Sequence, residues 1–205
     1  MEWAGRRAAW ARLGATILGI YVCPVALVAT GVIPFAWRFA VLVGMTVVAA
    51  GIAAASKRHT LRGLGMGMPG AGQALRWAIV PSGLVLAAIG LGWLPVHHAA
   101  AGGASGGMAF YVFFVCVSAP AQEFLYRSFL FAELGEIRIP PTGMVLVSAA
   151  LFGFMHIIYR DLNTVLVTLA AGLMWAVVFQ MTRRVSITAL SHAVLGVAAI
   201  VAGVV

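Results

Sequence analysis

The stretch MAFYVFFVCVSAPAQEFLYRSFLFA, residues 108–132, is a long apolar run that nonetheless carries Gln122, Glu123 and Arg127 close together. About 20 helical residues cross a ~30 Å hydrocarbon core, so the run is long enough to span a bilayer. The surrounding chain decides whether it does. Of its 205 residues, 63% are hydrophobic and 9% charged, and mean hydropathy is +1.05. A soluble domain of this size needs far more polar surface to cover its core. The run therefore reads as one helix of an integral membrane protein.

Working outward, similar runs lie at 13–35, 38–56, 76–96, 142–160, 164–182 and 185–205, which predicts an all-α polytopic bundle of about seven spans. Breakers punctuate the connections: Ile33-Pro34, the Gly/Met/Pro stretch from Gly63 to Gly72, Pro95 with His97-His98, the Ala99–Gly107 run, and Pro140-Pro141. Only 57–75 has room for a separate surface element. Residues 1–205 read as a single membrane domain, without internal repeat or low-complexity tail. The N-terminal MEWAGRRAAWARLGA lacks a cleavage signature, so the first span is expected to be retained.

Basic residues set the expected orientation. With the N-terminus cytoplasmic, Arg6, Arg7, Arg12, Lys57, Arg58, Arg62, Arg76, Arg138, Arg183 and Arg184 fall inside, whereas only Arg38 and Arg160 fall outside and Arg127 lies in the membrane. Topology thus explains the net charge of +8 better than nucleic acid does, because the basic residues form short clusters between apolar runs. Cys23 and Cys116 sit in apolar runs without metal-ligand spacing and read as small hydrophobes. The Ala, Gly, Val and Arg bias suits a prokaryote, and hence its cytoplasmic membrane.

Ionisable groups at membrane depth usually face a bundle interior or a wet cavity. Glu123 and Arg127 are four apart, which places them on one helix face with the acid N-terminal, the better order for an ion pair. Gln122 is about 100° away and presents its amide to another neighbour. His156 and His192 lie on the fifth and last runs. Each has a structural reading: the ion pair as mutual neutralisation, and a lone histidine as interhelical glue. A carboxylate and two imidazoles on different helices are also what activation of a water and stabilisation of an oxyanion require.

Gln122-Glu123-Phe124-Leu125-Tyr126-Arg127 resembles the EExxxR motif of the CPBP intramembrane proteases, which include the type II CAAX prenyl endopeptidases. Phe152-Gly153-Phe154-Met155-His156 resembles that family's FxxxH, and His192-Ala193-Val194-Leu195-Gly196 falls where HxxxN is expected. The resemblance covers roughly 108–200, the catalytic-motif helices. It implies a water-activating pair at Gln122 and His156, oxyanion contacts from His192 and position 196, and support from Glu123, Arg127 and Phe152. Tyr126 or Ser191 is placed to fix a histidine tautomer.

Two positions depart from the pattern. Gly196 has no side chain to donate a hydrogen bond, and the amide of Gln122 does not accept a proton from water at neutral pH. Three readings of Gln122 stay open: a silenced form of a chain whose natural residue is Glu, a site in which Glu123 has become the base, or a catalytically silent relative.

The function expected is hydrolysis of a peptide bond in a membrane-associated peptide or protein by activated water, with lipid as the surroundings and no cofactor. A zinc set of two histidines and a carboxylate is weighed against this, but its ligands would come from separate helices and no H-E-x-x-H is present. The rival is a non-catalytic multispan protein, an interaction partner or a transporter-like carrier. One tension accompanies the protease reading: these boundaries place Glu123 and His156 about 9 Å apart in depth, six residues at 1.5 Å each. A tilt, a longer fourth helix or shifted boundaries must remove it.

Overall fold

The computed structural model describes residues 2–56, 59–67, 71–94 and 107–204. Seven continuous helices are present among them: α1 (Gly5–Ala29, extended by one further N-terminal turn), α2 (Phe35–Ala55), α3 (Ala71–Gly90), α4 (Met108–Glu136), α5 (Pro141–Tyr159), α6 (Leu162–Thr182) and α7 (Val185–Val201). Five are long and apolar enough to cross a membrane; the apolar stretches Leu75–Gly90 and Val185–Val201 are shorter. The all-α polytopic bundle expected from the sequence is what forms. Pro95, His97-His98 and Lys57-Arg58 lie outside the described residues, as does nearly all of the Ala99–Gly107 run.

Large apolar side chains cover the outside of the bundle, Leu18, Val47, Leu84, Leu146 and Leu166 each more than half exposed. A soluble protein rarely tolerates that over a contiguous surface, and a lipid-facing one requires it. Cys23 and Cys116 are on this outer surface. The interior is inverted in polarity, burying Ser118, Gln122, Glu123, Arg127, Ser128, Ser148, Thr188 and His192.

The helix ends follow local chemistry. Pro140-Pro141 opens α5, with Pro141 at a first-turn position where its missing N–H costs nothing. Asp161 caps α6 by accepting from the Thr164 N–H at 2.7 Å and from its hydroxyl at 2.6 Å. Between α2 and α3, the Gly65 carbonyl accepts the Val185 N–H at 3.1 Å and the Leu64 carbonyl accepts the Ser128 hydroxyl at 2.5 Å. Gly65 has φ +74°, and a Cβ there would lie 2.7 Å from Phe179, so the docking of this segment depends on glycine.

Gly153 of α5 and Gly172 of α6 bring those two helices close: a Cβ on the first would be 3.0 Å from Leu169, and one on the second 2.9 Å from Phe152. The fourth helix departs most from regular α geometry, with π-helical turns at Phe114–Ser118 and Phe124–Phe129 enclosing an α turn at Ala119–Glu123. Side chains from other helices reach carbonyls of the second π turn: the Tyr21 hydroxyl donates to Leu125 at 2.7 Å, and the Ser148 hydroxyl donates to Tyr126 at 2.8 Å. These bonds fix α4 against α1 and α5 where the polar residues cluster.

Candidate active site

The α turn between the two π turns presents two adjacent side chains to different neighbours. Gln122 Nε2 donates to Ser118 Oγ at 3.0 Å, one turn earlier, while Gln122 Oε1 is buried without a partner. Glu123, fully buried, turns toward α7: its Oε1 accepts from His192 Nδ1 at 2.8 Å and lies 3.1 Å from the Arg127 guanidinium. The i, i+4 pair read from the sequence is therefore formed, and the rotation of about 100° per residue separates Gln122 from it.

Arg127 is wholly enclosed. It donates to the Gly172 carbonyl at 2.9 Å and lies 4.5 Å above the Phe152 ring. A buried charge of this kind is tolerable only when paired and hydrogen-bonded. Here the carboxylate, a helix carbonyl and an aromatic face replace part of the lost water, while Nε stays buried without a partner. Gly172 thus allows the close approach of Phe152 through its missing side chain and satisfies Arg127 through its carbonyl.

His192 is sandwiched. Its ring stacks on Trp175 at 4.1 Å and 19°, and meets Phe152 and Phe114 edge-on at 5.6 and 5.9 Å. The Trp175 indole donates to Ser191 Oγ at 3.0 Å, which is 2.8 Å from Ser82 Oγ on α3. Since an ionised carboxylate only accepts, His192 Nδ1 carries a proton and Nε2 is the atom left for other work.

His156 occupies the end of the α-helical part of α5, where the last turn tightens to 3₁₀. Its Nδ1 lies 2.8 Å from the Phe152 carbonyl, which can only accept. Nδ1 is therefore the protonated nitrogen in the neutral ring, and the lone pair is on Nε2. The tautomers are thus fixed by Glu123 and by the Phe152 carbonyl. Tyr126 and Ser191, the partners expected from the sequence, do not serve here: Tyr126 packs edge-on against Phe152 with its hydroxyl buried and unpartnered, and Ser191 Oγ accepts from Trp175.

An open cleft lies beside this cluster, lined by Gln122 of α4, Met155, His156, Ile158 and Tyr159 of α5, Val25 and Val28 of α1, and Arg38, Phe39, Val41, Leu42 and Met45 of α2. Gln122 and His156 line it together despite the depth mismatch expected from the sequence, for two reasons. α4 extends to Glu136, which makes Gln122 its midpoint. The two helices are also antiparallel, and side chains lean toward the N-terminus of their own helix. Gln122 therefore leans toward the end of the bundle where His156 sits, and His156 leans back toward its middle, as the contacts of each with a residue four earlier record.

The remaining residues stand behind this pair. Glu123, Arg127 and His192 do not line the cleft; the Phe152 ring, 5.0 Å from the His156 ring and 5.6 Å from that of His192, contacts both imidazoles. Gly196 lies one turn beyond His192, and a Cβ there would be 2.7 Å or less from the Phe114 ring, so that ring occupies the room a side chain would need. Sequence reading did not single out Phe114, Trp175 or Arg38 as parts of the site. The first two look like ordinary core aromatics in sequence, whereas Arg38 was already unusual as one of two basic residues on its side of the expected topology. Among the described residues, no three His, Cys, Asp or Glu side chains are grouped to hold a metal ion.

Residues 104–198, just under half of the chain, match the family model described as type II CAAX prenyl endopeptidase Rce1-like. The resemblance carried by the three motifs is thus borne out over the segment that contains them. No curated protein and no solved structure matches.

Proposed function

With residues 104–198 belonging to the Rce1-like family, we propose that this integral membrane protein hydrolyses a peptide bond in a membrane-associated substrate, using water activated at Gln122 and His156. The observation that carries the reading is that these two side chains, from different helices, line one cleft, with His156 Nδ1 committed to a backbone carbonyl. His156 Nε2 then takes the proton of a water as it attacks the scissile carbonyl, and Gln122 Oε1, which has no protein partner, accepts that water's second hydrogen.

His192, whose Nδ1 donates to Glu123 and whose ring stacks on Trp175, stabilises the tetrahedral oxygen through an N–H at Nε2 when that nitrogen carries a proton. The Phe152 ring, which touches both imidazoles, links His192 to the cleft residue His156. Proton return from His156 to the leaving amine completes the reaction without a covalent intermediate. Glu123 as the water-activating base has the least support of the three readings of Gln122, since its carboxylate is fully enclosed between Arg127 and His192. A glutamate at position 122 would add a second base in the cleft. With the N-terminus cytoplasmic, as the basic residues favour, the cleft's Arg38 end faces outward.

One observation favours a second reading, a silent relative that binds without cutting: the Phe114 ring fills the space beside Gly196 where an oxyanion donor would stand. Reconstituting Gln122→Glu with a panel of membrane-anchored peptides separates the two. Cleavage that His156→Ala lowers by about 10²- to 10⁴-fold supports the peptidase. Peptide binding without cleavage by the Gln122→Glu protein would establish the silent relative.

A further inference from the structure

A chain of hydrogen bonds reaches His192 from a helix that carries no motif. Ser82 belongs to α3, outside residues 104–198, and its Oγ lies 2.8 Å from Ser191 Oγ. Ser191 Oγ accepts the Trp175 indole N–H at 3.0 Å, and the Trp175 ring lies 4.1 Å from that of His192, 19° from parallel. Trp175 of α6 therefore bonds one residue of α7 and stacks on the next. The buried indole has a single donor, so committing it to Ser191 fixes its plane against the backbone that bears His192.

Glu123 holds one atom of the imidazole, Nδ1, at 2.8 Å. The torsion that turns a histidine ring is broad, so one hydrogen bond leaves the ring free to tilt and Nε2 free to swing. A flat partner on the ring face closes that freedom. Aim matters here, because a misplacement of about 1 Å can cost about 10²-fold in rate. We propose that Trp175 is a positioning residue that sets the plane of the His192 ring, and with it the aim of Nε2, and that Ser191 and Ser82 hold the indole for this task. This rests on the reading of His192 as the oxyanion donor. Plain packing would also bury a tryptophan between α6 and α7, and hydroxyls commonly join membrane helices. Two features go beyond packing. Phe152 and Phe114 meet the imidazole edge-on, whereas Trp175 alone among its aromatic neighbours covers its face. The indole donor also goes to the side chain next to that imidazole in sequence, which ties both rings to one stretch of α7.

Two measurements test this, one with turnover and one without. In the Gln122→Glu background, Trp175→Phe keeps a flat ring but loses the donor, and it is expected to lower kcat per folded molecule by about tenfold to a hundredfold with little change in KM. Ser191→Ala should do the same, the two together should cost no more than either alone, and Ser191→Thr, which keeps the hydroxyl, should recover most of the rate. Ser82→Ala should cost less, about threefold to tenfold, the worth of one neutral hydrogen bond. A merely structural role would reduce the folded fraction and leave kcat alone, so an unchanged kcat in Trp175→Phe would overturn the proposal, as would strictly additive losses. Without turnover, nitrogen NMR of the unmodified Gln122 protein in nanodiscs, with labelled histidine, should show one sharp Nε2 signal for His192, assigned by its loss in His192→Gln. That signal should broaden or split in Trp175→Phe and in Ser191→Ala. An unaltered signal in both would overturn the proposal. Failure of Gln122→Glu to cleave bears on the peptidase reading alone, because the ring signal needs no cleavage.

Discussion

Two carboxylates on α4 meet histidines at nearly the same distance, and they do different things. Glu123 lies 2.8 Å from His192 and Glu133 lies 2.7 Å from His59, and both acids are buried. Ten residues, about 15 Å of helix, separate them. At the inner site the cation is Arg127, fully enclosed, and the imidazole is stacked on Trp175 beside a cleft-facing neighbour. At the outer site one cation is Arg12, 3.9 Å from Glu133 with a side chain 39% exposed, and the histidine comes from the segment that docks α2 onto α4. An acid–histidine contact is therefore no signature of a reactive centre by itself. What distinguishes Glu123 is the company of a cleft and of a second imidazole on the same aromatic ring.

The comparison is sharpest under charge removal. Arg127→Ala is expected to destabilise the protein by about 3–5 kcal/mol, the cost of leaving the buried Glu123 carboxylate without its cation and with His192 alone. Arg12→Ala, whose partner keeps His59 and whose own side chain is partly solvated, should cost about 0–1 kcal/mol. Thermal unfolding in detergent measures both, and similar losses would break the distinction.

A smaller effect is expected in chemistry. In the Gln122→Glu background, His192→Ala should lower cleavage by about 10²- to 10³-fold, the usual loss of an oxyanion donor. His59→Ala should leave the rate per folded molecule unchanged. Rates normalised to active protein decide this, and an equal fall in both would mean that the pairs act alike.

Packing gives the third contrast. Gly196→Ala, which forces a Cβ into the Phe114 ring beside His192, should cost about 1–3 kcal/mol, and Phe114→Leu in the same chain should recover part of it. Cys116→Ala tests the outward surface of the same helix and should stay within about 0.5 kcal/mol. A large loss there would mean that the exposed side of α4 is an interface.

The architecture was legible because hydropathy and breaker residues act locally. The apolar runs and Pro140-Pro141 marked most helix ends to within a few residues, except that α1 begins earlier and ends at Ala29, not 35, α3 lies at Ala71–Gly90, not 76–96, and α4 ends later than apolarity alone suggests. Those extensions carry Arg6, Arg7, Glu133 and Glu136, which a hydropathy reading assigns to loops. The Glu123–Arg127 pair was legible from its spacing of four, and the separation of Gln122 from it from the helical turn. Which partner fixes each imidazole was not, because one partner is a backbone carbonyl and the other a carboxylate 69 residues away. The cleft was also hidden, since α1 and α2 form half of it and carry no motif.

The two π turns of α4 mark where this helix can lose a residue without disturbing its far end. A π turn holds one residue more than the α turn it replaces, and the fourth helix has such a turn on each side of residues 119–123. Removing a single residue from 124–129 would let that turn relax to α geometry and leave everything beyond it in register, whereas a deletion in a regular α turn would rotate all that follows by about 100°. The change would fall inside the turn, where Arg127 and the carbonyls that hold Tyr21 and Ser148 lie. One deleted codon here should therefore damage the polar cluster while sparing the packing of residues 130–136.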